Sequence, residues 1–405
     1  MRVQIKWGAP PDSKENAMSL HDIFYRFPKE FPLPFVLDGA TGTALMAAGM
    51  PAGVCPEKWI PEHPEVLCEI QRRYYAAGSD AVLAPTFGGN RLVLERHGLF
   101  DCAERNAALA TISRGLGAGL VAGDLSPTGK FMRPFGDAEF DEIAKVYAEQ
   151  AASLEPYVDF FVCETNISLA ETRAAVTGIK SVSNKPVFAT LTVDKSGRTM
   201  SGDSLLCALL SLAELGISAF GTNCSVGPGD MLNVLEPLVP FAAGLGVALI
   251  AKPNAGMPQE SAEGKKFDLD ADSFGEYAPK FLEAGVYVLG GCCGTDDKYI
   301  KRIREAVDAF EPLEEIPKKD SSLLVCNTKE VAEIDPARLP EPVAADEELF
   351  DYEGEYALVR VMGMGDVEFL RDNAAMLPCP IVLCGDRDLC ERVIREYCGK
   401  TIYWE

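Results

Sequence analysis

Eight short runs rich in Val, Leu, Ile, Phe and Ala recur along the first three-quarters of the chain, separated by stretches with apolar residues at helical spacing. The runs are Phe35 to Asp38, Ala81 to Phe87, Leu120 to Leu125, Phe160 to Thr165, Val187 to Val193, Ala219 to Ser225, Ala248 to Asn254 and Val286 to Gly290. The amphipathic stretches include Pro64 to Ala77, Phe140 to Leu154, Ser168 to Lys180 and Lys298 to Phe310. Short continuous apolar runs mark strands, and apolar residues three and four apart mark helices. Strands apolar at nearly every position are buried on both faces, as in a parallel sheet, and eight βα units over about 280 residues suit a closed barrel. The expectation is an α/β fold, a (β/α)8 TIM barrel over residues 1–310. A doubly wound open sheet is the alternative, but no Gly-x-Gly-x-x-Gly follows the first strand.

Polar residues gather where these runs end. Asp38 closes the first, Thr86 and Asn90 follow the second, Asp124 and Ser126 the third, and Glu164 the fourth. Cys224 ends the sixth, Asn254 the seventh, and Cys292-Cys293 follow the eighth. Barrel active sites are built at the carboxyl ends of the strands, so this face is the candidate site. The sixth and eighth strands lie two apart in a barrel, which lets Cys224 meet Cys292 and Cys293 over its mouth. Zinc takes sulfur ligands in tetrahedral geometry, and a catalytic zinc keeps one position for water or substrate. Three thiolates leave such a site slightly negative, suited to holding a substrate thiol as thiolate rather than to polarising a carbonyl. Taken alone, Cys292-Cys293 also reads as two small buried residues or a vicinal disulfide. The matching address of Cys224 favours the metal.

Composition narrows the function classes. A net charge of −23 opposes binding to nucleic acid or to an anionic membrane surface. The longest apolar stretches, such as Ala242 to Ala251, run about ten residues, short of the ~20 that span a bilayer. Thirteen cysteines and an opening Met1-Arg2-Val3-Gln4-Ile5-Lys6-Trp7 without an apolar signal segment lead to the expectation of a reducing cytoplasm and free thiols. Residues 311–346, rich in Pro, Glu, Asp and Lys, read as a linker that brushes the barrel through the apolar run Leu323 to Cys326. A small C-terminal α/β domain is expected over 347–405, with strands at Tyr356 to Val361, Pro380 to Cys384 and Thr401 to Trp404 and helices at Val367 to Met376 and Leu389 to Tyr397. Its cysteines, Cys379, Cys384, Cys390 and Cys398, lack a Cys-x-x-Cys pair and are expected in the core rather than on a second metal.

Five motifs at successive strand ends carry a resemblance. Leu37-Asp38-Gly39-Ala40-Thr41-Gly42-Thr43, Pro85-Thr86-Phe87-Gly88-Gly89-Asn90, Asn223-Cys224-Ser225-Val226-Gly227-Pro228, Lys252-Pro253-Asn254-Ala255-Gly256 and Gly290-Gly291-Cys292-Cys293-Gly294-Thr295 resemble the homocysteine S-methyltransferase family. Among its branches the chain is most similar to the homocysteine-binding domain of cobalamin-dependent methionine synthase, over roughly residues 22 to 310. The resemblance implies a zinc-dependent barrel that alkylates the sulfur of homocysteine. It implies Cys224, Cys292 and Cys293 as metal ligands and catalytic residues, and Asp38 and Glu164 as the holders of the substrate amino group. An ammonium does call for carboxylates, and acids on the first and fourth strands can face one cavity. Two other roles stay open: an internal barrel salt bridge for Glu164 and a turn cap for Asp38.

The family draws its methyl group from methylcobalamin on a corrinoid domain, from betaine, or from S-methylmethionine. No Asp-x-His-x-x-Gly segment occurs, so the expected donor is methylcobalamin carried on a separate corrinoid protein. The alternatives are a betaine- or S-methylmethionine-dependent enzyme, a non-catalytic module that binds zinc or a corrinoid protein, and thiol redox chemistry at Cys292-Cys293. The histidines, His21, His63 and His97, all fall away from the predicted strand ends, which leaves activation of the thiol to zinc.

Overall fold

Eight parallel strands share one sheet in a computed structural model that describes residues 19–224, 226–261, 264–313 and 315–405. The segment Met1 to Trp7 and Ser225 lie outside the described residues. The first seven strands are β1 (Phe35–Val36), β2 (Ala81–Leu83), β3 (Leu120–Leu125), β4 (Phe160–Asn166), β5 (Val187–Leu191), β6 (Ala219–Asn223) and β7 (Ala248–Lys252). An antiparallel hairpin, β8 (Pro258–Ser261) and β9 (Gly264–Phe267), separates them from the eighth, β10 (Val288–Leu289). The order is β1-β10-β7-β6-β5-β4-β3-β2. Every residue of β5, β6 and β7 is buried, as the unbroken apolar runs demand of strands covered on both faces.

β1 and β2 meet through individual hydrogen bonds, and two aspartates make the seam. Asp80 N–H donates to the Val36 carbonyl at 2.7 Å, while Val36 N–H donates to the Asp80 carboxylate at 2.7 Å. Leu83 N–H donates to Asp38 Oδ2 at 2.8 Å. Arg304, from the helix Asp297–Asp308, braces Asp80 from outside at 2.7 Å. The barrel is thereby closed. Its amino end is plugged by aromatic rings: Phe27 and Phe31 pack against Phe35, Phe160 and Phe188, with ring centroids 4.7 Å apart for Phe160 and Phe188. Among the described residues, this leaves the carboxyl end of the barrel for a ligand.

Several strands stop short of their runs at the carboxyl end, whereas β3 matches its run and β4 extends one residue past it. The second expected run extends to Phe87, but β2 stops at Leu83, and Thr86 N–H turns back to the Ala84 carbonyl at 2.7 Å. Pro85 has no N–H for a ladder, so the chain leaves the sheet there.

The stretch 311–346 contributes strands of its own. β11 (Leu324–Cys326) pairs antiparallel with β12 (Val331–Glu333), and β13 (Val343–Ala344) is the edge of a three-stranded parallel sheet with β14 (Ala357–Val361) and β15 (Ile381–Gly385). Thr401–Trp404 forms a single bridge, Leu383 to Tyr403, rather than a full strand. Against the barrel this unit is held by Arg173, which is 1% exposed and sits on the helix Leu169–Val182. Its guanidinium donates to the carbonyls of Ile394 at 3.0 Å and Arg395 at 2.9 Å, at the carboxyl end of the helix Arg387–Glu396, and to Ser211 Oγ at 2.8 Å. The last carbonyls of a helix have no partner within it and carry partial negative charge, so a buried cation satisfies them. Arg173→Ala is expected to lower stability by about 3 kcal/mol, since hydrogen bonds to a charged group contribute roughly 1.5–3 kcal/mol each. Urea unfolding of both proteins measures it, and an unchanged midpoint would refute the role.

Candidate active site

The two cysteine-bearing loops are shaped by residues that tolerate no larger side chain. A Cβ on Gly221 of β6 would stand 1.9 Å from the Ile250 carbonyl oxygen, and one on Gly291 would stand 2.2 Å from Thr295 Oγ1. After β6 the chain turns through Cys224, whose φ of 61° is left-handed, a conformation that costs a side-chain-bearing residue energy. Asn223 holds this turn. Its Oδ1 accepts from Thr165 N–H and Thr190 Oγ1, both at 2.8 Å, and its Nδ2 donates to Thr165 Oγ1 at 2.8 Å and toward Cys292 Sγ at 3.8 Å. The loop after β10 is tied to its neighbours: Cys292 N–H donates to the Pro253 carbonyl at 2.8 Å, Ala255 N–H to the Cys293 carbonyl at 3.0 Å, and Thr295 Oγ1 to the Cys292 carbonyl at 2.7 Å.

These constraints bring Cys224, Cys292 and Cys293 together, with their sulfurs all within 4.8 Å of one another and the Cys224 and Cys293 sulfurs 4.0 Å apart. None of the three is in a disulfide. With Zn–S bonds of ~2.3 Å, a tetrahedral site sets its sulfurs roughly 3.8 Å apart, a contraction of less than about 1 Å from this arrangement. Hydrogen bonding to Cys224 pushes the Cys293 thiol up to about 11, and hydrogen bonds to Cys224 and Cys293 together with burial raise Cys292 well above the usual thiol range. Crowded thiols resist ionisation among themselves, and a divalent cation at their centre reverses that balance.

Beside the thiols opens a cavity of about 540 Å³, lined by Asp38, Glu57, Asp124, Glu164, Lys252 and the three cysteines among others. That volume suits a small molecule. Asp38 and Glu164 both reach it, as the strand ends suggest. Asp38 Oδ2 is engaged at the barrel seam, whereas Oδ1 is buried without a hydrogen-bond partner. Burial lifts the Asp38 carboxyl to about 7 against the lowering pull of Lys252. Asp124 is raised well above the carboxylate range by burial and then by Glu164, and its Oδ1 is likewise unpartnered. Glu164 makes the internal salt bridge that its position left open: Lys252 Nζ donates to its Oε2 at 2.8 Å and lies 4.0 Å from Asp38 Oδ1.

The profile of the homocysteine S-methyltransferase family matches residues 35–307. The chain belongs to this family. It is 33% identical over 295 residues to methionine synthase of Mycobacterium tuberculosis and 32% identical over 295 residues to that of Mycobacterium leprae. In both cases the match covers 67% of this chain and 24% of the relative, so the chain spans about a quarter of the length of these curated relatives. The homocysteine methyltransferase MmuM from Escherichia coli superposes over 67% of this chain and 95% of its own, with TM-score 0.57 and 22% identity for the oxidised form and TM-score 0.55 and 20% identity for the metallated form. At that identity the likeness is one of fold.

Three residues of the family barrel went unmarked by the strand-end reading. Lys252 is a lone charge closing the apolar run Ala248 to Ala251, which was a usable signal. Glu57, on the helix Pro56–Trp59, gave none; it is buried and accepts from Gly88 N–H at 2.6 Å. His97, at the end of the helix Arg91–Arg96, lines the cavity although no strand end carries it. Because Asp38 closes the seam, Asp38→Ala should lower the urea midpoint by the equivalent of about 1–3 kcal/mol, the cost of leaving a buried N–H unpaired. Asp38→Asn keeps an acceptor for Leu83 and should lose less. Equal losses would mean that the seam does not depend on this bond.

Proposed function

We propose that the protein transfers a methyl group to the thiol of homocysteine to give methionine, with zinc held by Cys224, Cys292 and Cys293. The convergence of three thiols from two strand ends beside one cavity carries this reading. Family membership and the methionine synthase relatives support it. The donor set fits the metal, being three soft sulfur ligands with room for a fourth. Zinc bound there would keep a substrate thiol deprotonated near neutral pH.

The chain's own residues bind and orient the substrate. Asp38 Oδ1, buried and unpartnered, and Glu164 receive the α-ammonium, while the backbone from Gly39 to Thr43 lines the same cavity and offers amides to the α-carboxylate. The homocysteine sulfur then takes the methyl group by direct displacement, and the donor leaves with the electron pair of the broken bond. Holding the sulfur and methyl in line can contribute several kcal/mol to the rate. Because the thiols carry the chemistry, replacing Cys224, Cys292 or Cys293 by Ala should lower bound zinc well below one per chain and abolish methionine formation. Metal analysis of the purified variants checks this, and full occupancy in all three would refute the ligand set.

The donor we infer is a methylcorrinoid protein acting in trans. The barrel mouth supports a macromolecular donor: Phe87, Phe131, Phe135, Met200 and Met257 are exposed and lie in the loops that follow β2, β3, β5 and β7. Apolar side chains grouped on one face mark an interaction surface. The second reading, betaine or S-methylmethionine as a small donor, draws on the cavity volume alone. Zinc-loaded protein incubated with homocysteine and each donor separates them. A methylcorrinoid protein should give methionine and free methylcobalamin should serve poorly. Turnover with betaine or S-methylmethionine and none with a methylcorrinoid would overturn the donor assignment.

A further inference from the structure

The cavity wall holds four buried acidic side chains, Asp38, Glu57, Asp124 and Glu164, and one buried ammonium, Lys252, at the end of β7. Among the described residues lining the cavity, Lys252 is the one lysine or arginine. Its Nζ is 2.8 Å from Glu164 Oε2 and 4.0 Å from Asp38 Oδ1, so it stands between the two acids that face the substrate. A buried ion pair is costly to form and contributes modestly to stability, but it fixes the geometry of both partners, and removing one partner leaves the other charge uncompensated.

We propose that Lys252 is a positioning residue for the amino-acid end of the substrate: by engaging Glu164 through one oxygen it directs the other into the cavity, where it receives the α-ammonium together with Asp38 Oδ1. The assignment rests on the homocysteine reading above. Two observations carry it beyond a structural ion pair. First, Lys252 touches one oxygen of Glu164 rather than bridging both, leaving the second for a ligand. Second, Asp38 Oδ1 is buried in the same wall without a hydrogen-bond partner, an acceptor that one incoming ammonium would satisfy. Without Lys252, Asp38 and Glu164 would share the wall at low dielectric with no cation between them, and the aim of Glu164 would be lost.

The test compares two thiols on zinc-loaded full-length protein by calorimetry: homocysteine, and 4-mercaptobutanoate, which has the same thiol and carboxylate but no amino group. In the wild type homocysteine should bind more tightly. Lys252→Met should weaken homocysteine by about tenfold or more, the loss of one well-placed charge-assisted hydrogen bond, and move 4-mercaptobutanoate by less than about threefold. Lys252→Arg should restore part of the loss. If Lys252→Met does not fold, the double variant Lys252→Met with Glu164→Gln removes both charges, and it should bind homocysteine no more weakly than Glu164→Gln alone. Equal loss for both thiols, unchanged homocysteine binding, or further loss in the double variant overturns the role of Lys252. If the wild type binds neither thiol, the homocysteine reading itself fails. Normal wild-type binding with an unaffected Lys252→Met rejects the lysine assignment alone.

Discussion

Asp38 serves the barrel with one carboxylate oxygen and faces the cavity with the other. Oδ2 takes the Leu83 N–H across the seam between β1 and β2, where the ladder of parallel pairs is interrupted. Oδ1 is left buried and unpartnered beside Lys252. Fold closure therefore sets the position of a polar group in the site, and the seam cannot open without displacing it. The backbone carbonyl of the same residue accepts from Gly291 N–H at 3.0 Å, which ties the start of the cysteine-bearing loop after β10 to the end of β1.

From that seam the rest of the site follows by hydrogen bonds between successive strand ends. Lys252 links β7 to β4 through Glu164, and Asn223 links β6 to Thr165 at the end of β4 and to Thr190 in β5. Thr165 and Cys224, the two non-glycine residues with positive φ among the described residues, both lie in this network. Strained backbone persists where surrounding bonds over-determine it. Asn223 supplies three of those bonds. The thiols are thus presented from a hydrogen-bonded frame of strand ends.

The C-terminal unit depends on a different buried cation. Arg173 joins the barrel helix Leu169–Val182 to the end of the helix Arg387–Glu396, and the apolar core runs continuously across the junction, including Val359, Leu383 and Tyr397. The short strands within 311–346 take part in this packing: Cys326 N–H pairs with the Lys400 carbonyl at 2.8 Å, and Ser204 N–H with the Thr328 carbonyl at 2.8 Å. The apolar run Leu323 to Cys326 marks the contact with the barrel, but nothing in it announces the backbone pairing with Lys400. β11 and β13 are three and two residues long; β11 pairs with the adjacent β12 and β13 with β14.

What the amino-acid sequence determined by itself was local and periodic. Eight apolar runs between amphipathic stretches dictate a parallel sheet closed by its helices, and a residue at the end of a run must stand at the carboxyl face, which is why Asp38, Glu164, Cys224, Cys292 and Cys293 were legible. The exact strand lengths were less so, because Pro85 and the left-handed Cys224 end strands inside the runs. Tertiary structure alone decided which polar groups meet. Lys252 and Glu164 are 88 residues apart, and Glu57 and Gly88 are 31 apart. No periodicity encodes such pairs; barrel closure produces them by bringing all eight strand ends around one cavity.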